Sequence, residues 1–259
     1  MPSELLTERR GTTLVLTISD VASRNTLSTQ VIAAGIEALD ASEASREVRA
    51  VVLRGDGAHF CAGGNVQGLV ERRAAGEATQ RRMIDHLHQW IEAIAAYPKP
   101  VIAAVEGAAA GAGFSLALAC DLIVAASDAR FVMSHGKLGL SPDGGATARL
   151  AGALPPALVK QMVWLAEPET ASTLHAHGLV AAVADPGAAL TGALALAERL
   201  AALAPGALAS VKELIAQAPG RPLVEQLGAE RDHFLANLFG DDGAEGLQAF
   251  LEKRTPRFS

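Results

Sequence analysis

The chain has 259 residues, half of them apolar, with a net charge of −6 and a pI near 5.7. That length permits one generous domain or two small ones, and the acidic balance argues against a nucleic-acid or anionic-membrane surface while leaving room for a local basic pocket. Two cysteines, Cys61 and Cys120, make no disulfide framework, and the first residues hold no signal-like apolar stretch, so a globular cytoplasmic protein is expected.

In chain order, residues 13–19 alternate as a strand does. Residues 25–28 form a turn, and Ser28 caps a helix that runs to about Ala41. Residues 50–53 read as a short buried strand, followed by the turn signal Arg54-Gly55-Asp56-Gly57 and a small-residue loop at 60–64. Met83, Leu87, Trp90, Ile91 and Ile94 recur at helical spacing until Pro98 and Pro100 stop the helix. Residues 101–105 are a buried strand, then comes a turn of Gly and Ala only, then an apolar helix over 115–119. A strand at 122–126, a glycine-rich loop at 136–145 and a helix starting at Ala146 follow, and from Ala188 onward everything reads as helix. Strands alternating with helices and then helices alone make an α/β region with a helical tail.

The turn Gly107-Ala108-Ala109-Ala110-Gly111-Ala112-Gly113 carries the chemistry. Its glycines let backbone approach a ligand, and the N–H groups that open the next helix suit an anion. Three chemistries use such a strand–turn–helix. The nicotinamide-binding turn of short-chain dehydrogenases has this GxxxGxG spacing, yet it belongs near an N-terminus and needs a later Tyr-xxx-Lys pair, whereas the single tyrosine, Tyr97, comes before the turn. The segment Gly113-Phe114-Ser115-Leu116-Ala117 approaches the serine-hydrolase elbow, with His135 and Asp143 as partners, but Ala117 replaces its last glycine and the usual order would need a later His175, His177 or His233. The third chemistry uses a second loop, Phe60-Cys61-Ala62-Gly63-Gly64-Asn65. Two loops that each offer one backbone N–H to a single carbonyl oxygen make an oxyanion hole, worth about 3 kcal/mol per donor to a developing anion.

Five segments, in order, then resemble the crotonase superfamily of enoyl-CoA hydratases and isomerases. They are Ser23-Arg24-Asn25-Thr26-Leu27-Ser28, the loop from Gly55 to Asn65, Lys99-Pro100-Val101-Ile102-Ala103-Ala104-Val105-Glu106-Gly107, the stretch from Ser115 to Asp121, and Phe250-Leu251-Glu252-Lys253-Arg254-Thr255-Pro256. The resemblance implies a crotonase-like spiral of ββα units over residues 1–195 and a helical region over 196–259 that serves trimerisation and covers the pocket, in a homotrimer or a dimer of trimers. It implies an acyl-CoA thioester as substrate, with coenzyme A as part of the substrate and no separate cofactor, metal, nucleic acid or membrane partner.

By position, the resemblance puts the thioester oxygen between the N–H groups of Ala62 and Ala112, the latter standing where a glycine is usual. Hydratases activate water with two glutamates; Ser115 and His135 stand in their places. The segment Leu138 to Gly145 resembles the Pro-Asp loop of isomerase-type members and makes Asp143 the acid-base candidate, with a helix cap as its plain alternative. His135 is the second catalytic candidate. Gly63, Asn65 and Ser115 are expected to contact substrate, and Arg24 and Lys253 to contact the coenzyme A phosphates. The pairs His86/His88 and His175/His177 face apart on helices, so no metal site is expected. The favoured activity is a double-bond shift through a thioester enolate; hydration, or thioester binding with little turnover, are the alternatives.

Overall fold

The computed structural model describes residues 3–259. Its strands are β1 (Glu4–Arg10), β2 (Thr13–Ser19), β3 (Ala50–Gly55), β4 (Val101–Val105), β5 (Ala108–Ala110), β6 (Leu122–Ala126), β7 (Arg130–Val132), β8 (Glu169–Thr170) and β9 (Ala182–Ala184). The helices are α1 (Thr29–Glu43), α2 (Val66–Ala75), α3 (Glu77–Ala96), α4 (Ala112–Ala119), α5 (Ala146–Ala153), α6 (Pro156–Leu165), α7 (Ala171–Ala176), α8 (Ala189–Ala201), α9 (Pro205–Gln217), α10 (Leu223–Leu238) and α11 (Asp241–Glu252).

The main sheet has the order β1-β2-β3-β4-β6-β9, with β1 antiparallel to β2 and the rest parallel. Its central strands, β3 and β4, are apolar apart from Arg54 because both faces are covered. Val51, Leu53, Val101, Ala103 and Val105 point into a core shared with α1 and α3. Ala50, Val52, Ile102, Ala104 and Val124 point the other way, onto Ala189, Ala193 and Ala197 of α8. That stripe of alanines lets α8 lie close; a Cβ on Gly192 would come within 3.0 Å of Val124. Each fully buried Val, Leu or Ile here contributes roughly 1.5–3 kcal/mol of transfer free energy.

A second sheet, β5-β7-β8, is built from very short strands. β4 runs into β5 and then α4; β6 runs into β7, a 3-10 turn at Ser134–Leu138 and then α5. This recurring ββα unit is the spiral that the resemblance implies. The sequence pattern misses β1, an exposed charged edge strand, and β5, whose Ala-Ala-Ala reads as turn. It also misses α2, which buries none of its residues, and starts α4 three residues late.

Several residues that carry the resemblance fasten this frame. Asn25, buried at a φ of 60°, accepts from Asp20 N and donates from Nδ2 to the carbonyls of Asp56 and His59, at 2.9 and 2.7 Å. Lys99 donates to the carbonyls of Ser42 and Ser45 at the end of α1, both at 2.8 Å. Glu106 accepts from the N–H groups of Gly187 and Ala189 and so holds the start of α8.

The C-terminal helices differ from this frame. α9 and α10 bury no residue and α11 buries only Ala249. Large apolar side chains such as Ile215, Val224, Phe234, Phe239 and Phe250 stay exposed. One tether is Lys212, which donates to the Ile94 carbonyl and to the Asp121 carboxylate, each at 2.9 Å. Among the described residues, no single helix is long and apolar enough to cross a membrane.

Candidate active site

Two loops meet through glycines. Cys61 pairs with β5: its N–H donates to Ala108 O at 3.1 Å and its carbonyl accepts from Ala110 N at 2.9 Å. Gly113 must lack a side chain there, because a Cβ would sit 2.3 Å from the Cys61 carbonyl. Gly63, at a φ of +86°, is held the same way: a Cβ would come within 2.5 Å of Ala110 O and 3.0 Å of Ala112 N. A cleft of about 1040 Å³ opens beside this junction, bordered by Ala62, Gly64, Gly111 and Ala112 on one side.

The donors in this wall correct one expectation. The N–H of Ala62 is already used; it donates to Arg24 O at 2.9 Å. Gly63 N–H lies 3.4 Å from Cys61 Sγ. The next residue, Gly64, donates to no acceptor among the described residues, and Ala112 opens α4, where helix geometry leaves an N–H unpaired. The pair of unengaged donors bordering the cleft is therefore Gly64 and Ala112, two residues along the first loop from the expected Ala62.

The facing wall is built from side chains. The 3-10 turn and the loop before α5 bring His135 Nε2 to 3.3 Å from Asp143 Oδ1, and both residues border the cleft. The capping alternative for Asp143 fails: Gly145 occupies the cap position of α5 and no side chain caps that helix. The Asp143 carboxylate keeps 28% side-chain exposure against 12% for His135, so it is the member of the pair open to a ligand. His135 Nδ1 is buried without a hydrogen-bond partner. Ser115 is wholly buried, and its hydroxyl donates to the Asp143 main-chain carbonyl at 2.9 Å. It pins the loop rather than reaching substrate. Gly144 allows this closeness, since a Cβ there would meet Ser115 Cβ at 2.8 Å.

Residues 8–259 match the family described as enoyl-CoA hydratase/isomerase. The chain belongs to that family. A 2,3-dehydroadipyl-CoA hydratase of Escherichia coli is 34% identical over 256 residues, covering 99% of this chain and 98% of that one. A mitochondrial methylglutaconyl-CoA hydratase of Homo sapiens is also 34% identical, covering 97% of this chain and 74% of its own length. The crystal structure of an enoyl-CoA hydratase from Polaromonas sp. JS666 is 53% identical and superposes with a TM-score of 0.98, covering 99% of this chain and 100% of that one. The fold is the crotonase fold that the five segments led one to expect.

Within this enoyl-CoA hydratase/isomerase frame, the remaining expected contacts fall outside the cleft lining. Arg24 is exposed and contributes its carbonyl to Ala62; its positive φ of 57° ends a short 3-10 turn. Asn65 caps α2 by accepting from Gly68 N at 3.1 Å. Gly63 is a spacer between the loops. Lys253 ends α11 in the left-handed region, in the C-terminal helices. The cleft does hold two basic side chains that pattern reading passed over, Arg72 and Arg73 on α2. The signal was the pair itself in Val-Glu-Arg-Arg, hidden because α2 has no buried stripe to mark it as a helix. Burial pushes the Cys61 thiol up to about 12, so this cysteine beside the site is a neutral packing group. Among the described residues, no cluster of three or more His, Cys, Asp or Glu is placed to hold a metal.

Proposed function

We propose that the protein shifts the double bond of an enoyl-CoA. Gly64 and Ala112 hold the thioester oxygen, and Asp143 moves the proton. Asp143 takes a proton from C2 of a 3-enoyl-CoA, the charge passes to the held oxygen of the dienolate, and the same carboxyl returns the proton to C4. No net proton is gained or lost. His135, hydrogen-bonded to the Asp143 carboxylate, orients it. The two unengaged donors lower the enolate by about 3 kcal/mol each. The observation that carries this reading is the His135–Asp143 pair at 3.3 Å, bordering the same cleft as those donors. It is strengthened by Ser115 and His135 standing where the resemblance places the hydratase glutamates.

Hydration is the second reading, favoured by the names of the relatives, which are hydratases. The two separate in one assay. When the protein is incubated with a 3-enoyl-CoA or its 2-enoyl isomer, liquid chromatography coupled to mass spectrometry is expected to show each converted into the other, resolved by retention at unchanged mass. Rapid gain of one water by the 2-enoyl thioester would replace this reading by hydration, and binding without any turnover would make the protein a thioester binder. We further propose that residues 196–259 form the subunit interface of a homotrimer or dimer of trimers, because α9–α11 leave Phe234, Phe239 and Phe250 uncovered. Light scattering that finds a monomer at micromolar concentration would overturn this.

A further inference from the structure

The cleft contains two carboxylates and both are engaged: Asp143 with His135 at 3.3 Å, and Glu77 with Arg81 at 2.6 Å. It also contains two guanidinium groups, and neither has an ion-pair partner among the described residues. Arg72 is nevertheless held in place. Its Nε donates to the neutral Oε1 of Gln80 at 2.7 Å, across the junction of α2 and α3. Gly68, one turn earlier, leaves room beside it; a Cβ there would lie 2.8 Å from the Arg72 guanidinium. An arginine oriented by an amide rather than neutralised by an acid keeps its terminal nitrogens and its charge for an anion, and its planar fork suits a carboxylate. Apolar side chains, Leu69, Val70, Met83, Ile84 and Leu87, border the same cleft.

We infer that Arg72 and Arg73 bind a carboxylate at the far end of the acyl chain, so that the substrate is an ω-carboxyacyl-CoA. This rests on the thioester reading above and adds its substrate class. The apolar side chains accommodate the methylenes, and the arginines receive the terminal charge. The same guanidinium chemistry would also suit the phosphates of coenzyme A, and the test is built to separate the two.

Hexanoyl-CoA and its six-carbon ω-carboxyl counterpart are both saturated, so neither turns over, and they share the same phosphates. Their binding is measured by titration calorimetry to the full-length protein and to Arg72→Gln/Arg73→Gln, with circular dichroism as the fold check. Wild type is expected to bind the ω-carboxyl thioester about tenfold or more tightly than hexanoyl-CoA, a difference of about 1.4 kcal/mol. The double variant is expected to lose that preference while its hexanoyl-CoA affinity stays within about threefold. Arg72→Lys, which keeps the charge but not the fork, should retain part of it. Equal weakening for both thioesters would assign the arginines to the phosphates and overturn the inference. So would a wild-type protein that does not distinguish the two ligands. Failure of wild type to bind either one would instead break the thioester reading itself.

Discussion

One wall of the cleft is made of backbone and the other of side chains. On the first, Cys61 to Gly64 lies against Ala110 to Gly113, and what faces the ligand is a pair of N–H groups whose position depends on residues having no side chain. On the second, His135 and Asp143 present a ring nitrogen and a carboxylate across 3.3 Å, on a loop pinned by the Ser115 hydroxyl. The backbone wall can polarise any thioester whatever its acyl group. The side-chain wall decides which proton moves. A fold of this kind can therefore keep the first wall and change its reaction by exchanging residues on the second.

The two walls should break differently. Gly64→Pro removes one donor to the oxyanion and should lower turnover about 10²- to 10³-fold on every acyl-CoA tried, with the secondary structure retained. Ala62→Pro removes a structural bond to Arg24 O instead; it is expected to lower the melting temperature more than it lowers the turnover of the folded fraction. If the two effects came out reversed, the assignment of the donor to Gly64 would be wrong. Gly63→Ala acts on both, because its Cβ would press on Ala110 O and Ala112 N at a φ of +86°; a stability loss of about 1–3 kcal/mol in chemical denaturation should accompany reduced turnover.

On the side-chain wall, His135→Gln keeps a hydrogen-bonding group beside Asp143 and should cost only about tenfold in kcat, with KM little changed and the pH profile altered. An unchanged pH profile would reduce His135 to a packing role. The smallest effect concerns Cys61. Burial raises its pKa to about 12, whereas in the unfolded chain it ionises near the ordinary thiol value of about 9, so the unfolded state loses its proton first as pH rises. This thiol's contribution to stability is intact below pH 9 and declines between 9 and 12, at up to about 1.4 kcal/mol per pH unit. Cys61→Ala should flatten that decline, and a native Cys61 should resist thiol reagents at pH 8; rapid labelling would show that the loop opens.

How much of this was legible in the residues follows from the same contrast. β4, β6 and residues 50–53 of β3 are readable because burial on both faces makes them apolar runs, and β2 because its polar Thr13, Thr17 and Ser19 alternate with apolar residues. β1 is not, since Glu4-Leu5-Leu6-Thr7-Glu8-Arg9-Arg10 is an exposed edge with no period-2 alternation to mark it. The three-alanine β5 is a strand only because Cys61 and β7 pair with it, a tertiary fact. In the site, the two loops, His135 and Asp143 could be found from motif and order. The donor within the first loop could not, because adjacent N–H groups differ only in which carbonyl each meets, and Arg24 O meets Ala62. Ser115 is expected from its motif to contact substrate, whereas its burial and its bond to the Asp143 main-chain carbonyl depend on tertiary packing. Arg72 and Arg73 escaped because an exposed helix carries no periodic apolar signal.

Proton transfer by Asp143 to a thioester held by backbone is the central claim, and deuterium exchange measures it without reference to the final product. A 3-enoyl-CoA is incubated with enzyme in heavy water, and deuterium at C2 and C4 is followed by mass spectrometry and NMR. Wild type should incorporate deuterium at both carbons over repeated transfers, because the part-exposed Asp143 carboxyl trades its proton with heavy water between them. Asp143→Asn, which keeps the size of the side chain and the Ser115 contact to the main-chain carbonyl, should bind the thioester with unchanged affinity yet exchange about 10²- to 10⁴-fold more slowly. Exchange in Asp143→Asn at the wild-type rate would contradict the account and move the base elsewhere in the cleft.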